Sequence, residues 1–152
     1  MSEFYTGEGG TIEQILSEHG IYASVVRGTS MRPLLMAGRD VVYILPITEE
    51  VKKYDVLLYR RADKYILHRV IGFYPDGYII RGDNTYKKEY VNEQSLVGIL
   101  AKYNRRGKER SATTRRFYVY GFIVQLFYLP RFCIVTLGRK IKNLLRKAKK
   151  EN

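Results

Sequence analysis

The sequence predicts a mainly β domain, a small coiled antiparallel structure of barrel-like form. A short helix precedes it, and a basic, apolar-aromatic helical segment follows it. Three observations carry that expectation. Runs rich in Val, Ile, Leu and Tyr follow one another at close spacing from residue 21 to residue 103. Polar and turn residues separate these runs. Finally, the positive charge of the chain is gathered in its last third.

The elements can be justified in order. Thr11 stands before Ile12, Ile15 and Leu16, an apolar spacing that predicts a short amphipathic helix. Thr11 is its N-cap, because a threonine oxygen accepts from the free N–H groups of a first turn, and Gly20 is its stop. The stretches IYASVVR, DVVYIL, YDVLLYR, KYILHRVIGFY, GYIIRG and VGILAKY then read as strands. Pro75-Asp76-Gly77 is a turn, since proline presets φ and glycine tolerates φ > 0. It folds residues 64–74 onto 77–82 as a hairpin. Short strands so closely spaced predict a small antiparallel barrel or coiled sheet. The expected organisation is an N-terminal helix in 1–20, a β-rich domain in 21–103 and a tail in 104–152.

Composition narrows the function classes. With 45% hydrophobic and 13% aromatic residues, the chain is not a disordered one. A single cysteine, Cys133, excludes an internal disulfide framework and a cysteine-based zinc cluster, and fits a reducing compartment. No cofactor is expected. Residues 1–101 carry 12 Lys and Arg against 13 Asp and Glu, whereas residues 102–152 carry 15 against 2. A near-neutral domain followed by a segment of net +13 predicts docking on a polyanion, either membrane or nucleic acid.

Chemistry enters with RGTSMRPLL, residues 27–35. Ser30 has a plain reading as the N-cap of a helical turn through MRPLLM. A serine hydroxyl becomes a nucleophile only when a base removes its proton, so a base has to be found. Two histidines are present. His19 ends the N-terminal helix, a common structural position. His68 lies within YILHRV, among residues that prefer burial. The hairpin then brings RGDN, residues 81–84, back along the strand that carries His68, so Asp83 approaches the histidine across the pair. Nucleophile, base and acid follow in the order Ser30, His68, Asp83.

GTSMRP, LLYRR, YILHRVIG and RGDN, in that order from about Val25 to Leu100, resemble the signal peptidase and LexA-type group of serine peptidases. The resemblance is strongest to the endoplasmic-reticulum-type and archaeal branch that uses a Ser–His pair. It implies a coiled antiparallel β fold, Ser30 as acylating nucleophile and His68 as general base, at a place where bacterial relatives carry a lysine. It also implies Asp83 as the aspartate of the Gly-Asp-Asn motif. Glu89 corresponds to an acid that some relatives use beyond that motif, so the acid that orients His68 is either Asp83 or Glu89. The backbone N–H of Ser30 would help form the oxyanion hole. Many signal peptidases carry a serine two places before the nucleophile, where this chain has Gly28, and most have an apolar helix just before the nucleophile, which residues 1–29 do not supply.

The tail supplies the expected membrane contact. Residues 117–137 approach a bilayer span in length, but Gln125, Pro130 and Arg131 interrupt them. Leu137, Ile141, Leu144, Leu145 and Ala148 form one apolar stripe opposite Lys and Arg, the pattern of a helix lying on anionic lipid. The alternative is that residues 117–130 pack on the β domain. The flanks 102–116 and 138–152 each carry seven basic residues and one acidic residue, so both are expected on the cytoplasmic side. The leading expectation is therefore a serine endopeptidase that cleaves leader-like or signal-like peptides, or preprotein segments, at the inner membrane face. Two alternatives rank below it. A LexA-type self-cleaving regulator is disfavoured because the one Ala-Gly, Ala37-Gly38, lies inside the domain. A non-catalytic binding module is the other, with nucleic acid ranked below lipid as its ligand.

Overall fold

The computed structural model describes residues 3–4, 10–128 and 130. The apolar stripe expected at 137–148 lies outside the described residues. The N-terminal helix, α1 (Ile12–His19), forms as the sequence predicts. The Thr11 hydroxyl accepts from the Gln14 N–H while the Gln14 side chain accepts from the Thr11 N–H, a reciprocal capping box. Gly20 ends the helix in the left-handed conformation, φ 69°. Ile12 and Leu16 are buried.

The strands are β1 (Glu3–Phe4), β2 (Tyr22–Val25), β3 (Val41–Leu45), β4 (Val56–Arg61) and β5 (Lys64–Tyr74). They continue as β6 (Gly77–Arg81), β7 (Glu89–Asn92), β8 (Leu96–Arg105) and β9 (Lys108–Ser111), and a second helix, α2, spans Arg115–Leu126. All pairings are antiparallel. The main sheet runs in the order β2-β3-β8-β4-β5-β6-β7, with β1 on β5 and β9 on β8. The expected hairpin is present, with Tyr74 opposite Gly77 and Arg69 opposite Arg81.

The sheet is open, which corrects the barrel-like expectation. β2 and β7 stand at its two ends, and no ladder joins them among the described residues. The central strands pack on both of their faces. Val56 and Leu58 of β4 join a cluster with Ile12, Leu16, Met31, Leu34, Leu35 and Phe117, while Leu57 and Tyr59 join another with Val51, Ile66, Val70, Ile80 and Val91. Successive residues of a strand point to opposite faces. Both faces of the sheet are therefore covered.

The expected boundary at residue 103 falls inside the fold. β8 runs on to Arg105, and β9 folds back so that Ser111 lies opposite Lys102. Ala112 and Phe117 are part of the core. Thr114 caps α2 by accepting from the Phe117 N–H, and the Tyr118 hydroxyl donates to Asp55 at 2.8 Å. The packing alternative thus holds for the inner face of α2. Among the described residues, no helix is long and apolar enough to cross a membrane.

This packing sets an expectation for stability. Phe117 is almost wholly buried, stacked near Tyr103 with ring centroids 6.1 Å apart. Phe117→Ala should cost about 3–5 kcal/mol in urea unfolding. A chain ending after Tyr103 should be destabilised far more than one ending after Pro130. Equal midpoints for the two truncations would show that β9 and α2 contribute nothing to the domain.

Candidate active site

The site is built on the loop between β2 and β3. Its base is closed by Val26 N–H to Asp40 O at 2.8 Å and Gly38 N–H to Val26 O at 2.9 Å. Gly28 has φ 76°, a left-handed conformation in which a side chain is strained. Ser30 itself is 2% exposed. The loop continues as tight turns, with Arg32 N–H to Thr29 O at 3.3 Å and Leu35 N–H to Met31 O at 3.0 Å. No helix forms there, so Ser30 is not an N-cap. Burial of Met31, Leu34 and Leu35 anchors the loop to the core.

His68 lies near the middle of β5, opposite Leu57 of β4, and is 1% exposed. Its two ring nitrogens have different surroundings. Nδ1 faces the Tyr59 hydroxyl at 3.4 Å and Glu89 Oε1 at 3.7 Å. The Tyr59 hydroxyl donates to Glu89 Oε2 at 2.9 Å, and Arg61 donates to the same oxygen at 2.5 Å. A phenol has one proton to give, and here Glu89 receives it. Both groups facing Nδ1 are therefore acceptors, which favours the tautomer protonated on Nδ1 and leaves a lone pair on Nε2. Nε2 is buried with no hydrogen-bond partner among the described residues.

Burial lowers the His68 pKa from 6.5 to about 4, against an opposing pull from the Glu89 charge. The ring is therefore neutral at neutral pH. Burial, and then the hydrogen bond to Glu89, push the Tyr59 hydroxyl far above its usual value, so it stays a donor.

Asp83 is placed otherwise than the hairpin argument suggests. Its carboxylate oxygens accept from Arg69 Nε at 2.8 Å and Nη2 at 2.9 Å, a bidentate pair with both side chains fully buried. Arg69 Nη1 also donates to Tyr54 O at 2.8 Å. The rings of Phe117 and Tyr120, both on α2, lie 4.8 and 5.4 Å from the guanidinium carbon. Burial works against the Arg69 charge, but Asp83 more than offsets it and raises the pKa. Adjacent strand residues point to opposite faces, so Arg69 takes Asp83 while His68 faces Glu89. Of the two candidate acids, Glu89 is the one beside the ring.

Gly82 joins the parts. A Cβ on it would lie 2.8 Å from the Ser30 carbonyl oxygen and 2.9 Å from His68 Nε2, so no larger residue fits. The next loop residue holds the serine turn from the other side. Asn84 N–H donates to Ser30 O at 2.6 Å, and its side-chain amide donates to Thr29 O at 3.1 Å. Ser30, His68 and Asp83 are thus gathered in one place, with Asp83 as a brace.

Sequence reasoning missed Tyr59, Arg61 and Arg69 as site residues. Their signals are modest. Tyr59 and Arg61 are two apart on one strand and so share a face. An arginine buried mid-strand needs an acid, and the hairpin brings Asp83 within reach of Arg69. A cavity of about 300 Å³ lined by Ile47, Glu49, Asp55, Ile99 and Tyr118 touches none of Ser30, His68, Asp83 or Glu89. Among the described residues, no cluster of His, Cys, Asp or Glu could hold a metal ion.

Two outcomes are expected. Above pH 6.5 His68 is neutral whether folded or unfolded, and stability is at its full value. Between pH 6.5 and about 4 the unfolded chain binds a proton that the folded ring refuses, so stability falls as pH falls and then levels. The His68 share of that fall is about 3 kcal/mol, and His68→Gln should flatten it in urea unfolding measured across this range. An unchanged slope would mean the ring is solvated. Asp83→Asn should cost about 3–5 kcal/mol, because it strands the Arg69 charge in the core. A cost below ~1 kcal/mol would contradict the buried ion pair.

No protein-family model and no curated protein matches the chain, so the chemistry of the site has to be argued from these residues themselves.

Proposed function

We propose that the protein is a serine endopeptidase resembling signal peptidase, with Ser30 as nucleophile and His68 as general base. The observation that carries the reading is the buried, unpartnered Nε2 of a neutral His68 lying beside the Ser30 turn across Gly82. A lone pair held there takes the serine proton as the hydroxyl attacks a peptide carbonyl and returns it to the departing amine. The imidazolium formed in between is stabilised by the Glu89 carboxylate at 3.7 Å. Tyr59 and Arg61 fix that carboxylate, and Arg69–Asp83 fixes the loop that supports Ser30. In this reading the backbone N–H of Ser30 helps form the oxyanion hole. The substrate class is a leader-like or signal-like peptide segment.

A serine-reactive phosphonate probe should label Ser30, as mapped by mass spectrometry of the intact protein. Ser30→Ala should abolish labelling, and His68→Ala should slow it by about 10²–10⁴-fold. Glu89→Gln should slow it less than loss of the ring. The rate should hold from neutral pH down to about 5 and fall only as His68 is protonated, near pH 4. Labelling that persists in Ser30→Ala, or that ignores His68→Ala, overturns the assignment.

We also propose that the enzyme works at an anionic membrane surface. On α2, Val119, Phe122, Ile123 and Leu126 are exposed at helical spacing, with Phe127 just beyond its end. Arg115 and Arg116 are exposed at its start, within a segment of net +6. That combination of an apolar stripe with cationic flanks suits acidic headgroups over a hydrocarbon edge. Both basic flanks would then lie on the cytoplasmic side. The protein should sediment with vesicles containing acidic lipid, less as salt rises, and Ile123→Glu with Leu126→Glu should release it while the domain stays folded in urea unfolding. Preference for DNA over vesicles at matched salt would replace lipid with nucleic acid as the partner.

A further inference from the structure

The N-terminal strand occupies a telling position. β5 has two edges. β4 covers one of them from Lys64 to Arg69. β6 covers the other, but only from Arg69 to Tyr74. Where β6 gives way to the Gly82 loop, the edge is left open beside His68. β1 fills that place, with Glu3 opposite Ile66 and Phe4 opposite Tyr65. It therefore lies in line with β6, and the residue nearer its amino terminus is the one nearer His68.

The chain also fastens α1 near the far end of that edge. The Tyr65 hydroxyl donates to Glu13 at 2.5 Å, and Arg60 lies 3.7 Å from the other oxygen of the same carboxylate. Glu13 belongs to the first turn of α1, the element that follows β1. The helix that follows β1 in the chain is thus held at Tyr65, the residue opposite Phe4. A two-residue strand has little pairing energy of its own, so this tether matters: it raises the local concentration of β1 at the edge.

We propose that β1 is a self-blocking strand that competes with substrate for the edge of β5 beside His68. This rests on the peptidase reading of Ser30 and His68. An extended peptide is recognised largely through its main chain when it adds to an open strand edge. That edge leads along the base-bearing strand toward His68, and β1 holds it at Tyr65 and Ile66 in the absence of substrate. Substrate binding then requires that β1 leave, and the weak two-residue pairing makes it displaceable rather than permanent.

The test uses the full chain with Glu3→Pro and Phe4→Pro, since proline lacks the N–H that strand pairing needs. Backbone hydrogen exchange at residues 65–67 should quicken by about tenfold, the factor that corresponds to about 1.4 kcal/mol. A synthetic peptide of residues 1–10 should restore the protection. Phosphonate labelling of Ser30 should rise in the same variant and fall again with the peptide. A second variant, Phe4→Cys with Tyr65→Cys in a Cys133→Ser background, should label slowly when oxidised and recover with reductant. If Ser30 is never labelled but exchange and peptide protection behave as stated, the blocking strand stands and the peptidase reading fails. Unchanged exchange and labelling in the proline variant would overturn the blocking strand itself.

Discussion

The Arg69–Asp83 pair is the constraint on which the rest of the site depends. An ion pair buried this fully is tolerated only when every neighbour keeps it satisfied. Asp83 supplies both oxygens, Tyr54 supplies a carbonyl, and Phe117 and Tyr120 close over the guanidinium. Each of those groups belongs to a different part of the chain. The pair therefore fixes β5, the loop after β6 and the packing of α2 together. Gly121 shows how close that approach is, since a Cβ there would lie 2.9 Å from Tyr54 Cβ and 3.0 Å from Arg69 Nη1. A second layer repeats the arrangement. Arg81 donates to Gln125 with its guanidinium carbon 3.3 Å from the Tyr128 ring centroid, and the Tyr128 hydroxyl donates to Tyr86 O. The loop that supports Ser30 is thus roofed along its length.

Two acids and three cationic or potentially cationic groups meet within a few residues of one another, and strand geometry sorts them. His68 and Arg69 are neighbours in sequence but face opposite sides of β5. Asp83, already neutralised by Arg69, has little left to offer the ring. Glu89 meets Nδ1 from β7, with its charge shared among Arg61, Tyr59 and His68. The outcome is a neutral histidine with an acceptor nitrogen turned toward the loop, which is the state a general base requires. A stronger acid contact would raise the ring's pKa toward neutrality, at the expense of the unprotonated fraction.

Much of this was legible in the sequence. The N-cap at Thr11, the stop at Gly20 and the hairpin at Pro75-Asp76 depend on local chemistry, so local reading finds them. The return of the RGDN loop to the strand that carries His68 follows from the hairpin at residues 75–76, whereas the place of Ser30 beside them rests on contacts between distant segments. What the sequence hid depends on contacts between distant segments. Asp83 turns to Arg69 and not to His68, because alternation along β5 puts those two residues on opposite faces. Whether the sheet closes depends on its two end strands, β2 and β7, meeting, and the apolar runs of β4 and β5 signal burial on both faces without deciding that. β7 and β9 are short and polar, and nothing in EYVN or KERS announces a strand until its partner is known.

α2 was hard to read for a related reason. A helix apolar all round belongs in a core or in a membrane, and its sequence does not say which. Here it is divided between the two demands. Phe117 and Gly121 face the core, while Phe122, Ile123 and Leu126 face outward. The inner face is committed, because uncovering Arg69 would expose a cation–π roof and a buried ion pair together, a loss of several kcal/mol. A surface that docks on the outer stripe therefore meets a helix already held in place. Docking of that kind orients the Ser30–His68 site relative to the surface and has no second arrangement of α2 to select, since a ligand shifts an equilibrium only between states that it binds differently. If β1 governs access as proposed, the element that moves is the weakly paired strand beside His68, which is far cheaper to displace than the helix that roofs Arg69.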